Sequence, residues 1–405
     1  MTSAAWRAIS KGSAFGSSRG CAYSDMVISV VGRAEDAPSS LRLVPAALSW
    51  RRSDWPGMME AMAEKTPRKH RIAVIGGGPG GYEAALRGAE LGAEVTLVEH
   101  HGVGGNAVLT DVVPSKTLIS AAEVASHMAT AGELGVQFFA RDDNDRPLRP
   151  DIAVNFTKLN QRIRRLAQKQ SDDMLASLKR AGVTVVQGRG RLDGPNTVIV
   201  DSGPKSKEFD HIEADTIIVS VGASPRELPS AKPDGERILT WKQLYSLTEM
   251  PEHLIVVGSG VTGAEFASAY RLLGSEVTLI SSRDRVLPGE DADAADVIEE
   301  VFKRNGMNVV SGQRAEKVVR DGDEVVATLS DGREILGSHC LMAVGSIPNT
   351  KDIGLESAGV ELTESGHIVV NRVARTSVPN IYAAGDCTSF FPLASVASAP
   401  VSYTH

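Results

Sequence analysis

Residues 72–81 carry the stretch that decides the fold, IAVIGGGPGG. Four apolar residues give the pattern of a buried strand, and the glycines follow at the spacing G-x-G-x-x-G before a helical stretch that begins at Tyr82. Gly76 permits a tight turn, Gly78 lets a ligand approach the backbone, and Gly81 allows the helix to pack closely on the strand. This order predicts a dinucleotide-binding βαβ unit with the pyrophosphate at the helix N-terminus.

An acidic residue follows the next predicted strand. Residues 94–98, EVTLV, are β-branched or apolar after the first position, and Glu99 comes directly after them. A carboxylate about 20 residues beyond the glycine loop is placed to accept hydrogen bonds from ribose hydroxyls. His100 and His101 come next, but nothing else supplies metal-ligand spacing, so we interpret them as surface residues and predict no metal site.

The same pattern recurs in residues 254–263, LIVVGSGVTG, which predicts a second dinucleotide fold. Its glycines are Gly258, Gly260 and Gly263. Here the second strand ends in Ser281, Ser282 and Arg283 instead of an acid. Hydroxyls and a guanidinium could accommodate a 2′-phosphate, which favours NADPH, or both NADPH and NADH. The alternative is that Arg283 simply points to solvent.

Composition narrows the range of partners. The 405 residues are enough for two or more domains, and the net charge of -7 argues against nucleic acid or an anionic membrane surface as a partner. The only cysteines, Cys21, Cys340 and Cys387, are too scattered for a disulfide framework, which predicts a cytoplasmic protein. No stretch approaches the roughly 20 apolar residues of a membrane span. Small molecules are therefore the expected partners.

Short β-branched runs alternate with helical stretches from residue 71 onward. This alternation predicts an α/β fold with parallel sheets. The predicted strands are residues 72–75, 94–98, 183–186, 216–221, 254–257, 277–280, 341–344 and 381–383. Apolar residues at helical spacing from Phe156 predict a helix there.

A third motif, TSVPNIYAAGD at residues 376–386, completes a family pattern. With both glycine loops, it makes residues 71–395 resemble the flavoprotein disulfide reductase family, which includes lipoamide dehydrogenase and glutathione reductase. The resemblance implies two Rossmann-like domains of three-layer ββα type. Residues 71–226 and 350–399 would form the FAD-binding domain, and residues 227–349 would form the NAD(P)-binding domain.

The resemblance also implies individual cofactor positions. Asp386, after Gly385, would bind the ribityl chain of the flavin. Hinge strands at residues 219–222 and 344–349, which contain Gly222 and Gly345, would bracket the nicotinamide domain. Gly190 is assigned to the cofactor-binding set as well.

The informative departure from the family lies in residues 104–116, GGNAVLTDVVPSK. In this register the two redox cysteines of the disulfide reductases fall on Ala107 and Val112. Disulfide exchange needs one thiolate to attack and a second thiol to resolve. Glutathione and dihydrolipoamide chemistry are thereby excluded unless another thiol moves in.

A pair of charges is retained where the cysteines are lost. The resemblance places Lys116 beside the flavin ring, paired with Glu265 on the nicotinamide-domain helix. A cation there stabilises an anionic reduced flavin, so we assign both residues to the catalytic site. The alternative is a purely structural pairing.

Without a dithiol, electrons must leave the flavin directly, and a quinone is the natural acceptor because it is flat and takes two electrons. Residues 222–226, GASPR, and 257–266, VGSGVTGAEF, are most similar to cysteine-lacking NAD(P)H quinone reductases of actinobacteria. This similarity predicts an NAD(P)H dehydrogenase (quinone). The alternatives are a pyridine nucleotide transhydrogenase, a lipoamide dehydrogenase-like flavin-binding or sensor protein, and an inactive fragment.

The two ends are expected to lie outside the fold. Residues 1–70 are interpreted as a non-native or disordered extension, either from a start codon assigned too early or as a transit peptide. Family members are homodimers through a C-terminal domain that is expected to be absent here. Residues 400–405 are expected to be an artefactual tail, because 401–405, VSYTH, match a translated sequencing adapter. The alternative is a natural short form of the protein.

Overall fold

The computed structural model describes residues 68–139, 147–148, 152–203, 210–389 and 393–403. These residues belong to the compact unit Pro67–His405. The predicted extension lies outside the described residues apart from 68–70, and so do residues 404–405 of the predicted tail.

The strands are short, as is usual in α/β proteins. In chain order they are β1 (Arg71–Ile75), β2 (Glu94–Glu99), β3 (Phe138–Phe139), β4 (Pro147–Leu148), β5 (Thr184–Gln187), β6 (Arg189–Leu192), β7 (Thr197–Asp201), β8 (Asp210–Glu213), β9 (Thr216–Val219), β10 (Ala223–Pro225), β11 (Ile238–Thr240), β12 (His253–Val257), β13 (Glu276–Ile280), β14 (Asn308–Val310), β15 (Ala315–Asp321), β16 (Glu324–Leu329), β17 (Glu334–Gly337), β18 (His339–Met342), β19 (Ser346–Pro348) and β20 (Ile381–Ala383).

Each βαβ unit has a helix after its first strand, and the remaining helices lie in the connections between strands. They are α1 (Pro79–Glu90), α2 (Gly105–Leu109), α3 (Val112–Ala129), α4 (Phe156–Arg180), α5 (Val261–Leu273), α6 (Ala292–Arg304) and α7 (Ala394–Tyr403), with 3₁₀ turns at Ala131–Leu134 and Leu244–Ser246. Among the described residues, no helix is long and apolar enough to cross a membrane.

Two parallel five-stranded sheets form the framework. The first has the order β20-β9-β1-β2-β5 and the second has the order β11-β18-β12-β13-β14. Every neighbouring pair in both sheets is parallel. The central strands β1 and β12 are those that lead into the two glycine loops, so the sequence repeat is also a repeat of sheet topology.

The central strands are apolar throughout because both faces of each sheet are covered. In β1, Val74 packs in the cluster that includes Ala84 and Ala85 of α1, whereas Ala73 and Ile75 pack with residues of β6 and β7. In β12, Val256 and Leu254 pack toward α5 in the same way. Helices therefore cover one face of each sheet.

A three-stranded antiparallel sheet covers the other face. β6-β7-β8 lies against the first parallel sheet and β15-β16-β17 lies against the second. The predicted α/β fold with two Rossmann-like, three-layer ββα units is confirmed, as are all eight predicted parallel strands to within two residues at each end. The sequence did not identify the antiparallel strands, whose alternating exposed and buried residues are weaker signals.

The chain crosses between the two sheets through a narrow antiparallel ribbon. β10 pairs with β19, with Ala223 opposite Pro348. Much later in the sequence, β20 returns to the first sheet and pairs with β9. The first sheet is thus assembled from two distant parts of the chain.

Candidate active site

The first glycine turn leaves no room for side chains. Gly76 has φ +96°, and a Cβ there would lie 2.2 Å from the carbonyl oxygen of Ser220. A Cβ on Gly81 would lie 1.9 Å from the carbonyl oxygen of Gly76, so α1 starts directly against the turn. Backbone therefore packs on backbone at both positions, as the glycine pattern predicts.

The cap residue of α1, Gly78, has open space beside it. Gly78 caps the helix, no described side chain bonds to the first turn, and nothing lies within 4 Å of a Cβ placed on Gly78. The unpaired N–H groups and the helix dipole together favour an anion at this point. The turn therefore has the shape and polarity that a dinucleotide pyrophosphate requires.

Glu99 lies at the end of β2 and is almost completely buried. Its Oε2 accepts a hydrogen bond from Gly77 N at 2.7 Å. Its Oε1 accepts hydrogen bonds from His100 N at 2.8 Å and from His101 N at 2.6 Å. Because a carboxylate oxygen can accept more than one hydrogen bond, Oε2 keeps capacity for a ribose hydroxyl beside the loop.

The second glycine turn repeats this geometry. Gly258 has φ +108°, and its Cβ would lie 2.2 Å from the carbonyl oxygen of Ala343. A Cβ on Gly263 would lie 1.9 Å from the carbonyl oxygen of Gly258. Gly260 caps α5 without a side-chain bond among the described residues and, like Gly78, faces open space. The chain thus carries two helix N-termini with matching open geometry.

The strand end beside the second turn differs from the first. Ser281 is completely buried, and it accepts a hydrogen bond from the Ser259 hydroxyl at 2.8 Å. The Ser281 hydroxyl also lies 2.9 Å from the carbonyl oxygen of Arg283, to which it can donate. Ser281 therefore shapes the loop and presents no surface to a phosphate, contrary to our expectation for its hydroxyl. Ser282 and Arg283 are exposed at the same point.

Three of the predicted cofactor glycines have backbone or packing functions in this structure. Gly190 lies in β6, and a Cβ there would come within 3.0 Å of Ile75 Cγ2, so it lets two sheets pack closely. Gly190 is partly exposed, and its assignment to the cofactor-binding set stays a prediction. Gly222 and Gly345 have φ +65° and +94° and flank the β10–β19 ribbon, with open space beside them.

Asp386 follows β20 together with Gly385, which has φ +84°. Its carboxyl group is partly buried, and burial raises its pKa above the ordinary value although His367 opposes the shift. Because β20 pairs with β9, Asp386 comes to the same end of the first sheet as the first glycine turn.

One ion pair links the two halves of the structure. Lys116 Nζ on α3 donates to Glu265 Oε1 on α5 at 2.5 Å. Lys116 is half exposed and Glu265 is largely buried. α3 and α5 pack against each other, so this pair stands where the two glycine-loop units meet.

The positions that align with redox cysteines hold no sulfur. Ala107 lies in α2, and Val112 at the start of α3 is 39% exposed. The described thiols, Cys340 and Cys387, are both buried and unpaired. Burial raises the pKa of Cys340, and burial raises the pKa of Cys387 to about 11. Neither thiol supplies a thiolate at neutral pH.

Asp111 is a site residue that sequence reasoning missed. It precedes α3, yet its side chain makes no capping bond to the described first turn. Burial raises the pKa of its carboxyl group to about 6, Glu265 adds to this rise, and Lys116 opposes it. In the sequence, an aspartate before a helix resembles an ordinary N-cap, so only its surroundings distinguish it.

Comparison with known proteins places this geometry in a family. The family model described as pyridine nucleotide-disulphide oxidoreductase matches residues 70–400.

The chain belongs to the pyridine nucleotide-disulphide oxidoreductase family.

Curated members of this family include an NAD(P)H dehydrogenase (quinone) of Mycobacterium tuberculosis strain H37Rv. It is 48% identical over 335 residues, which are 81% of this chain and 66% of that protein. A dihydrolipoyl dehydrogenase of Zymomonas mobilis is 33% identical over 331 residues, or 81% of this chain and 68% of that protein. The chain therefore spans about two thirds of the length of these oxidoreductases.

Solved structures agree with the family assignment. The crystal structure of LpdA from Mycobacterium tuberculosis has a TM-score of 0.75 and 45% identity, covering 82% of this chain and 71% of that one. The flavoprotein disulfide reductase RclA from Escherichia coli, at 23% identity and a TM-score of 0.69, shares the fold. The resemblance stated from the sequence is confirmed at the level of the family.

The raised pKa of Asp111 makes a stability prediction. Because its folded pKa of about 6 exceeds the ordinary value of an aspartate, Asp111 contributes most to stability at low pH, and the contribution is lost as pH rises through the folded value. We therefore compare the free energy of unfolding of Asp111→Asn with that of wild type at two pH values. The difference in favour of Asp111→Asn should be roughly 1 kcal/mol larger at about pH 8 than at about pH 5.

Denaturant unfolding at the two pH values measures this difference. Asp193→Asn is the control, because Asp193 is exposed and makes no side-chain hydrogen bond among the described residues. A difference between Asp111→Asn and wild type that stays constant with pH would contradict the assigned shift.

Proposed function

We propose that this chain is an FAD-dependent NAD(P)H oxidoreductase that passes electrons from flavin to a quinone-like acceptor without a redox disulfide. Two observations support the proposal. The chain has two glycine turns suited to a diphosphate, and the positions of the family's redox cysteines hold Ala107 and Val112. The name of the Mycobacterium tuberculosis relative, NAD(P)H dehydrogenase (quinone), agrees with this proposal.

The two turns fit two dinucleotides. Gly78 and Gly260 leave the space that a diphosphate needs, and each precedes an uncapped helix end in the described chain. Only the first turn has a buried carboxylate, Glu99, for an adenosine ribose. We assign FAD to the first turn and NAD(P)H to the second. Bound FAD supplies the chemistry of accepting a hydride and releasing two electrons.

The acceptor follows from the missing dithiol. Dihydrolipoamide chemistry needs two exchanging thiols. Ala107 and Val112 stand at the aligned positions, and Cys340 and Cys387 are buried. A two-electron acceptor that needs no covalent protein intermediate fits this site, and a quinone is such an acceptor. The net reaction is NAD(P)H + H⁺ + quinone → NAD(P)⁺ + quinol.

Lys116 supplies a positive charge where the two units meet, and Glu265 holds it in place. Their 2.5 Å contact holds α3 and α5 together at the meeting point of the two units. Lys116 is half exposed, so its ammonium also faces the open space beside the pair. A cation there stabilises negative charge that develops during electron transfer. Glu265 fixes the direction of that cation.

The exposed Arg283 supports a preference for NADPH. Ser281, the counterpart of Glu99, is neutral and buried, so the second turn offers no carboxylate to an unphosphorylated ribose. Arg283 and Ser282 lie exposed beside it. A guanidinium and a hydroxyl suit a 2′-phosphate.

Two further expectations accompany the proposal. The family dimer and a cytoplasmic setting both stay predictions. The second is supported by Cys340 and Cys387, which are buried and form no disulfide.

The electron acceptor can be tested directly. The protein is loaded with FAD, reduced with NADPH in a stopped-flow instrument, and mixed with menadione, lipoamide or NAD⁺. We expect rapid reoxidation by menadione and none by lipoamide, because the part of the chain that the structure describes has no accessible thiol pair. Reoxidation by lipoamide would contradict the proposal, and rapid reoxidation by NAD⁺ alone would replace it with transhydrogenation.

A matched pair of glycine variants tests the assignment of the two turns. Gly81→Ala and Gly263→Ala each place a Cβ 1.9 Å from a carbonyl oxygen, so each should cost about 1–3 kcal/mol of stability. We expect Gly81→Ala to lose FAD on purification. Gly263→Ala should keep FAD, but the rate at which NADPH reduces its flavin should fall at least about tenfold. Gly132→Ala, which meets open space, is the control.

The NADPH preference has its own test. Arg283→Ala should raise KM for NADPH by about 10-fold or more and leave KM for NADH unchanged, because a charged hydrogen bond contributes about 1.5–3 kcal/mol. Ser281→Ala should affect both coenzymes alike, since Ser281 shapes the loop. An equal loss for both coenzymes in Arg283→Ala would rule out the phosphate contact.

A further inference from the structure

Asp111 lies between the two nucleotide-binding units. The short helix α2 and Asp111 follow Gly105, whose Cβ would lie 3.0 Å from Gly78 Cα in the first turn. Its nearest charged neighbours include Glu265, on the first turns of α5 beyond the second glycine loop. The carboxyl group therefore stands where two bound dinucleotides must approach each other.

The carboxyl group is not used for structure. The helix that it precedes receives no capping bond from it among the described residues, although the position is a natural N-cap. Within the described chain its side chain forms no ion pair either: Lys116, the cation nearest in sequence, bonds to Glu265. A partly buried acid without a structural partner needs another explanation.

The surroundings of Asp111 disfavour its charged form. From α5 it faces Glu265, from the loop after β20 it faces Asp386, and from α3 it faces Lys116. Its charge also acts on the Tyr245 phenol in the 3₁₀ turn Leu244–Ser246. Burial and the two acids raise the pKa of Asp111 to about 6. An acid with a pKa near the working pH transfers protons efficiently.

The proposed reaction consumes a proton. Breaking the C–H bond at nicotinamide C4 releases two electrons and one proton, and reduction of a quinone to a quinol forms two O–H bonds. The second proton must come from an acid at the site. If Asp111 supplies it, the carboxyl O–H bond breaks, an O–H bond of the quinol forms, and the carboxylate takes a proton back from solvent.

The other groups nearby are poorer donors. Glu265 is already engaged by Lys116 at 2.5 Å. The Tyr245 hydroxyl is buried with no hydrogen-bond partner among the described residues, and burial raises its pKa above the ordinary value. Cys340 and Cys387 are buried elsewhere. Asp386 also has a raised pKa and is partly accessible, but it follows β20, where the family resemblance assigns it to the ribityl chain of the flavin. Asp111 is therefore the partly accessible acid with a raised pKa that is left for the acceptor.

We propose that Asp111 is the acid that delivers the proton consumed when the acceptor is reduced. This inference rests on the proposed quinone reductase function.

The kinetic test separates the two half-reactions of FAD-loaded protein. Asp111→Asn should be reduced by NADPH at a rate within about twofold of wild type, because that step consumes no proton. Its reoxidation by menadione should slow about 100-fold. In wild type this rate should fall as pH rises above about 6, and in Asp111→Asn it should not depend on pH. Asp193→Asn is the control and should match wild type.

A second variant distinguishes proton delivery from a structural effect. Formate added to Asp111→Ala should restore reoxidation by menadione, because a small acid can occupy the space left by the carboxyl group. Tyr245→Phe should keep the wild-type pH profile. Loss of that profile in Tyr245→Phe, with Asp111→Asn unaffected, would assign the proton to Tyr245 instead.

An infrared titration of the protein without FAD provides a readout that does not depend on turnover. Wild type should show a protonated carboxyl band that disappears with a midpoint near 6 and is missing in Asp111→Asn. A midpoint near the ordinary value for aspartate, or wild-type reoxidation in Asp111→Asn, would overturn the inference. If wild type is reduced by NADPH but is not reoxidised by menadione, the proposed function fails and the inference fails with it.

Discussion

In both halves of the molecule, the crossover helix begins so close to the preceding turn that a single Cβ would lie 1.9 Å from a carbonyl oxygen. Gly81 and Gly263 make this contact possible, and they fix the start of α1 and α5 against the sheets. The helix ends then point into open space at Gly78 and Gly260, without a described side chain to cap them. Sheet order, helix position and anion binding all depend on this one approach of backbone to backbone.

The two units share this framework but differ where the second strand of each ends. The pair Gly77 and Glu99 has its counterpart in Ser259 and Ser281, each joined by one hydrogen bond, of 2.7 Å and 2.8 Å. The first pair buries a charge that four backbone N–H groups stabilise, and it leaves an acceptor beside the loop. The second pair is neutral and satisfied within the protein. Selectivity between the two nucleotides can therefore be set without changing the fold.

The sequence was sufficient for the parallel sheets, because strands buried on both faces are continuous apolar runs and the glycine loops mark where they end. It was insufficient where a residue's environment comes from distant parts of the chain. Ser281 lay in a plausible position for a phosphate contact, but its hydroxyl is buried and bonds within the loop. Asp111 gave no signal, because Glu265 and Asp386 are brought near it only by the packing of α3 on α5 and the return of β20.

Asp111 also shows why an unused acid is informative. An aspartate that caps a helix accepts N–H bonds from the first turn, which lowers its pKa and stabilises the helix by about 1 kcal/mol. Asp111 stands at such a position and makes no such bond in the described structure, while burial and neighbouring acids disfavour its charge. Neither the helix nor an ion pair accounts for the carboxyl group. Its remaining property is a pKa raised to about 6, at a place between the two glycine-loop units.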